Sequence, residues 1–248
     1  GRGVEVQGGA QLALSRVLVE DNRDHGLIVD GTGTSVEASD LVVRSTREAT
    51  DGRGGRGVNV QEGTHLALSR VLVEDNRDHG LFVNGTGTSV EATDIVVRGT
   101  REASDGTLGR GVNVQGGAHL ALSRALVEDN REEGLVVSRT GTSVEATDVV
   151  VRGTREQASD RALGRGIDVE PGAQLALSRA LVEDNREVGL LANGTDTSVE
   201  ASDLIVRDTL PRASDGAFGA GVWAQSGARV IVSGARIERS HMVGIGSA

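Results

Sequence analysis

The sequence predicts an all-β solenoid, a coil of short parallel strands. Three observations predict it: a repeat of 54 or 55 residues, a division of each repeat into two related halves, and a period-two alternation of apolar residues within each half. The repeat opens with Gly-Arg-Gly-Val at residues 1, 55 and 109, with Gly-Arg-Gly-Ile at 164 and with Gly-Ala-Gly-Val at 219. The repeats are therefore 1–54, 55–108, 109–163 and 164–218, followed by a partial copy over 219–248, and 1–248 reads as a single repeat domain.

The first half, GVEVQGGAQLALSRVLVEDN (3–22), aligns with the second, GLIVDGTGTSVEASDLVVRST (26–46), after one extra residue in the first turn. The structural unit is thus a rung of 23 residues alternating with one of 31 or 32. The longer rungs carry insertions such as REATDGRGG (47–55), REASDGTLG (101–109) and REQASDRALG (155–164). About nine rungs start at Gly3, Gly26, Gly57, Gly80, Gly111, Gly134, Gly166, Gly189 and Gly221, and a tenth is cut off after Gly244. Because the chain opens on Gly1 inside a repeat, it reads as a segment of a longer protein.

Taken alone, LALSRVLVEDN (12–22) looks helical, with Leu14, Val17 and Leu18 at helical spacing. Its counterpart SVEASDLVVR (35–44) is β-branched and places Ser39 and Asp40 where a helix centre would lie. One grid must describe both, and only strands do. Val4/Val6, Leu12/Leu14 and Val17/Val19 mark three short strands per rung, with Val36, Ala38, Leu41 and Val43 overlaying the last two pairs.

Three strands per rung of about 23 residues, with glycine at each rung's first position, resembles the right-handed parallel β-helix. This is the coil of the pectate-lyase and polygalacturonase superfamily and of many bacterial surface proteins. The resemblance covers essentially the whole chain. It implies the fold and leaves the activity open. A leucine-rich repeat is the alternative, since Leu14-x-x-Val17-x-Val19-x-x-Asn22 mimics its core motif. Against it, Asp24 stands at the next apolar position and Thr46 where Asn is required.

Neighbouring rungs of a parallel sheet lie ~4.8 Å apart, so equivalent residues form columns. One inward column is Val4, Leu27, Val58, Leu81, Val112, Leu135, Ile167, Leu190 and Val222. A hydroxyl column runs from Ser15 through Ser39, Ser69, Thr93 and onward to Ser233, where it is expected to bond to the turn backbone or up and down the stack. Two charged columns alternate in sign: Glu20, Arg44, Glu74, Arg98, Glu128, Arg152, Glu183, Arg207, and Arg16, Asp40, Arg70, Asp94, Arg124, Asp148, Arg179, Asp203. Each charge is expected between two opposite ones, so that a slipped stack sets like charges together. These columns read as scaffold.

Composition excludes several functions. A net charge of −10 and an aromatic content of 1% argue against nucleic-acid binding. Cysteine is absent, which removes disulfides and thiolate metal sites. No apolar run approaches the ~20 residues of a membrane span. No cofactor or metal is expected. All 26 cations are Arg, so the Arg-x-Lys of polygalacturonases, which the resemblance would imply, cannot occur. The acids repeat from period to period with no singular cluster, so no catalytic residue is expected. His25 and His79, replaced by Glu133 and Val188 in later repeats, read as a surface turn, as do His65 and His119 at another. Thr-Gly-Thr at 32–34, 86–88 and 140–142 sits in a Gly-flanked turn.

The outward column of the first strand runs Glu5, Ile28, Asn59, Phe82, Asn113, Val136, Asp168, Leu191, Trp223. Apolar residues facing outward ask for a cover. Either Leu108, Leu163 and Phe218 of the insertions fold back over it, or Ile28, Phe82, Val136, Leu191 and Trp223 are an interaction strip for a protein or polysaccharide surface. Together these readings point to a non-catalytic structural or interaction module: a stalk, fibre or adhesin segment of a secreted or cell-surface bacterial protein. Self-assembly through uncapped ends is expected. A polysaccharide-binding or polysaccharide-active β-helix, lyase or hydrolase, is the alternative.

Overall fold

The structure, a computed structural model, describes residues 1–248 and contains strands but no helix. No helix is therefore long and apolar enough to cross a membrane. The first sheet stacks β1 (Val4–Gln7), β3 (His25–Asp30), β5 (Arg56–Gln61), β7 (His79–Asn84), β9 (Arg110–Gln115), β11 (Glu133–Ser138), β13 (Arg165–Val169), β15 (Val188–Asn193), β17 (Ala220–Gln225) and β20 (Val243–Ser247). The second stacks β2 (Gln11–Glu20), β4 (Ser35–Arg44), β6 (His65–Glu74), β8 (Ser89–Arg98), β10 (His119–Glu128), β12 (Ser143–Arg152), β14 (Gln174–Glu183), β16 (Ser198–Arg207) and β18 (Arg229–Ser233), with β19 (Arg236–Glu238) also on β16. All pairings are parallel and in phase, for example Leu27 with Val58 and Val58 with Leu81. The fold is the right-handed parallel β-helix expected from the repeat.

The second and third expected strands run together as one ten-residue strand, and only the last rung separates them, as β18 and β19. The corner between them is a single residue in the left-handed region: Arg16 (φ 56°), Asp40 (52°), Arg70 (56°), Asp94 (55°), Arg124 (52°), Asp148 (56°), Arg179 (53°) and Asp203 (53°). That residue drops out of the ladder, which passes from Ser15–Ser39 directly to Val17–Leu41. One charged column is therefore also the bend. Bulky residues pay for a positive φ, and Gly234 takes the place in the last full rung. The adjacent hydroxyls stay outward and half-exposed. Their contacts to backbone are few and long and run back along the stack rather than to the turn itself, at 3.5 Å from Ser202 to the Leu177 carbonyl and from Ser233 to the Ala201 carbonyl.

Alternation sends Leu, Ile, Val and Ala inward to one continuous core of 47 buried side chains. Full burial of each Leu, Ile or Val contributes about 1.5–3 kcal/mol. At the second corner the interior turns polar. Asn76, Asn130 and Asn185 are buried and alternate with buried Thr46, Thr100, Thr154 and Thr209. The Asn130 side-chain oxygen accepts from the Thr100 N–H (3.0 Å), while its amide donates to the Val97 carbonyl (3.3 Å); Asn76 and Asn185 repeat the arrangement. This internal ladder satisfies backbone groups that the corner removes from the sheet.

Each rung enters the first sheet through a glycine. A Cβ on Gly57 would lie 2.7 Å from the Gly80 carbonyl oxygen, so only glycine fits. The insertions are small hairpins, as in the antiparallel bridge of Glu48 with Gly54. They touch one another: the Ser104 N–H donates to Glu48, and the Ser159 N–H to the Gly106 carbonyl. They form a ridge along the edge of the first sheet.

Candidate functional site

The ridge and the first sheet enclose a row of ionisable side chains, which is the candidate site. It starts from the Arg of each Gly-Arg-Gly motif. Arg2, Arg56, Arg110 and Arg165 each bond an acid 22 residues later, at the entry of the next rung: Asp24, Asp78, Glu132 and Glu187, at 3.1, 3.0, 2.6 and 2.8 Å. Asp78, Glu132 and Glu187 are buried, and the insertions close over this row. Gly54 lies against the backbone of Asp24, where a Cβ would come within 2.8 Å of its Cα.

His25 and His79 are buried rather than surface residues, because the insertions cover the turn that carries them. His79 Nδ1 lies 2.8 Å from Asp78, and the Asn113 amide lies 2.9 Å from its Nε2. The amide can only donate there, which places the ring proton on Nδ1, facing Asp78. Burial pushes the His79 pKa down despite Asp78, so the ring is neutral at pH 7. Burial also pushes Asp78 upward, but His79 and Arg56 outweigh it and hold the carboxyl below its usual range. Asp78 and Asn113 thus flank the ring on its two sides, with the Asp78 contact close in distance but outside hydrogen-bond geometry.

In the third and fourth repeats the row changes character. Glu133 replaces the histidine and Asp168 the asparagine, so four buried acids, Glu132, Glu133, Asp168 and Glu187, surround Arg110 and Arg165. Arg212, from the next insertion, adds a third cation at 3.1 Å from Glu187. Burial lifts the Glu133 carboxyl well above its usual range; Arg110 opposes the shift, while Asp168, within hydrogen-bonding reach, and Glu132 add to it. Glu170 is raised for the same reasons, burial first and Asp168 second. The expectation of no singular acidic cluster is thus corrected. Two adjacent carboxyls, one with its pKa raised by burial, are an arrangement that acid–base chemistry uses. Here both are 2% exposed, behind arginines. No three His, Asp or Glu side chains converge as a metal cage.

The interaction strip is covered. Ile28, Phe82, Val136 and Leu191 are buried, and Trp223 is half-buried. The Arg56 guanidinium lies 4.0 Å above the Phe82 ring and His79 meets its edge. Leu191 packs with Val188, Ala220, Trp223 and Val243. The insertion side chains Leu108, Leu163 and Phe218 are themselves half-buried, and Arg212 stacks on Phe218 at 4.6 Å.

The two charge columns divide into pairs. After the third segment, Arg44 bonds Glu20 (2.6 Å), Arg98 Glu74 (2.7 Å), Arg152 Glu128 (2.7 Å) and Arg207 Glu183 (2.5 Å), each within a repeat. Contacts onward to the next repeat are 3.9 Å where they occur, at Arg44–Glu74 and Arg152–Glu183. At the corner the pairing is complementary: Arg70 with Asp40, Arg124 with Asp94 and Arg179 with Asp148, each 2.6 Å and across a repeat boundary. Arg16 and Asp203 are left without an ion pair. The even spacing expected along each column gives way to alternating staples, because each arginine with a rung before it reaches back to the acid of that rung.

Open concavities lie elsewhere, on the outer side of the second sheet before the corner. One of about 360 Å³ is lined by Ala13, Ser15, Glu37, Ser39, Ala67 and Ser69, and another of about 400 Å³ includes Glu145, Ala176 and Glu200. Glu37, Glu91 and Glu145 stand exposed there without an arginine, and Glu200 has Arg229 at 3.3 Å. The Gly-Arg-Gly ladder and this glutamate row escaped sequence reading, although an arginine followed by an acid 22 residues on recurs in every complete repeat.

Residues 2–204 match the family model described as the right handed beta helix region. Among solved structures the chain is similar to pectate lyase Pel9A, at 15% identity and a TM-score of 0.55 over 84% of this chain and 55% of that one. It is also similar to the full-length tailspike protein 2 of Escherichia coli O157:H7 bacteriophage CAB120, at 11% identity and a TM-score of 0.39, over 90% of this chain and 39% of that one. The chain thus spans about half the length of the lyase, and that likeness is one of fold. No curated protein matches it.

Proposed function

The chain belongs to the right-handed β-helix family, and from that premise we propose that it is a non-catalytic structural or interaction module. It serves as a stalk, fibre or adhesin segment of a secreted or cell-surface bacterial protein. The observation that carries this reading is the sealing of its one singular ionisable cluster: Glu133 and Asp168 are each 2% exposed and lie against Arg110 and Arg165. Over the rest of the molecule the two charged columns are committed to neighbouring rungs, as in Arg98 with Glu74 and Arg124 with Asp94.

The second reading is a polysaccharide-binding or polysaccharide-active β-helix. It is favoured by the open recesses bearing Glu37 and Glu145, and by the fold shared with a pectate lyase. Incubation with pectate and calcium, followed by the ultraviolet absorbance of unsaturated product, separates the two. No product is expected. Product formation abolished by Glu133→Gln or Glu145→Gln would replace the first reading with the second. Retardation in pectate-containing gels, relieved by Glu145→Gln, would favour binding without cleavage.

A further inference from the structure

Beyond the corner, the outer side of the second sheet carries an aliphatic column that no other part of the chain covers. It runs from Leu18, 52% exposed, through half-buried residues to Ile205, 38% exposed, one residue per rung over eight rungs. Odd rungs carry Leu; even rungs carry Val, or Ile at the end. The corner column, beginning at Arg16, flanks it on one side and the column beginning at Glu20 on the other.

We propose that this face is the docking surface for a second copy of the chain, laid antiparallel about a two-fold axis along the strand direction between Val96 and Leu126. This goes beyond the scaffold reading and does not depend on it. Under that symmetry the first rung faces the eighth and the fourth faces the fifth. Large therefore meets small in the inner pairs, where Val42 faces Leu181, Leu72 faces Val150 and Val96 faces Leu126, while Leu18 faces Ile205 at the two ends. The flanking columns face themselves in reverse, and every charge meets its opposite, as with Glu20 and Arg207 or Arg70 and Asp148. Arg16 and Asp203, the two corner residues without an intrachain ion pair, face each other at both ends of the contact. A slip of one rung would place like charges together throughout. A parallel arrangement would set Leu against Leu and Val against Val.

The stripe is about 34 Å long, and with its flanking columns about 20 Å wide. That is roughly 600–700 Å² per copy, at the lower end of the size of specific interfaces. The dimer is accordingly weak and concentration-dependent.

Sedimentation equilibrium across a concentration series tests it, with circular dichroism to confirm folding of each variant. The wild type should move from 25.6 kDa toward twice that mass. Leu126→Arg, beside the axis and far from the solenoid ends, should raise the dissociation constant at least tenfold. Arg16→Asp should weaken the dimer by setting two aspartates together, and Arg16→Asp with Asp203→Arg should restore it. Aspartate and arginine both occupy this corner elsewhere in the column, so these variants keep the bend. A wild type that stays monomeric at roughly millimolar concentration would overturn the proposal. So would a dimer indifferent to Leu126→Arg, which would place the contact at the ends, or a double variant that fails to recover.

Discussion

Asn130 closes two gaps in the stack at once, accepting from the Thr100 N–H at 3.0 Å and donating to the Val97 carbonyl at 3.3 Å. It is fully buried, so no water replaces it when the side chain is shortened. Asn130→Ala therefore strands one donor and one acceptor. Each buried orphan costs about 1–3 kcal/mol, giving an expected loss of about 2–6 kcal/mol. Asn22 supplies the internal control: it holds the equivalent position in the first rung, has no rung before it to bridge, and donates only to the Glu20 carbonyl beside it. Asn22→Ala should cost about 1 kcal/mol or less. Urea unfolding followed by circular dichroism reads both. If the two variants lose stability within about 0.5 kcal/mol of each other, the ladder is not what holds the second corner.

Other outcomes follow from the same geometry. The Glu133 carboxyl keeps its proton to higher pH in the folded chain than in the unfolded one, so its contribution is complete below the ordinary carboxylate range and falls as pH rises through the raised value. Glu133→Gln should leave acid-side stability unchanged and raise the melting temperature on the alkaline side; identical pH profiles for variant and wild type would refute the buried acid pair. Leu135, 0% exposed in the core, should lose about 2–5 kcal/mol as alanine in the same urea assay. Arg124→Ala breaks the staple to Asp94 at the surface and should lower the melting temperature slightly at low ionic strength. That difference should vanish in 1 M salt, where the Debye length is about 3 Å.

The strands, their register and the inward columns were legible because a period-two pattern repeated over nine rungs leaves one register in which every apolar residue faces inward. The outward apolar column asked for a cover, and the insertions were one of two readings for it, but the buried ionisable row beneath was not legible. His25 and His79 drift to Glu133 and Val188, and such drift ordinarily marks a solvated turn. Here the cover comes from insertions whose path depends on contacts with one another, as in Ser159 to Gly106, and no local periodicity encodes that. The charge columns were legible as columns but not as staples, since which neighbour an arginine selects depends on side-chain reach. The outer aliphatic column was hidden for a different reason. Leu18 sits between inward Val17 and Val19 in an unbroken apolar run, where alternation between faces leaves no trace in residue type.

The alternating staples also bear on how such a chain changes length. Rungs of one kind end in Glu with Arg at the bend, and rungs of the other end in Arg with Asp at the bend. Deleting or duplicating a single rung would bring two of a kind into contact along both columns. Gain or loss of a whole 54- or 55-residue unit would leave every neighbour as before. Length in this architecture is therefore counted in pairs of rungs. A gene growing by recombination between its own repeats would keep the molecule folded at each step while lengthening it by about 10 Å.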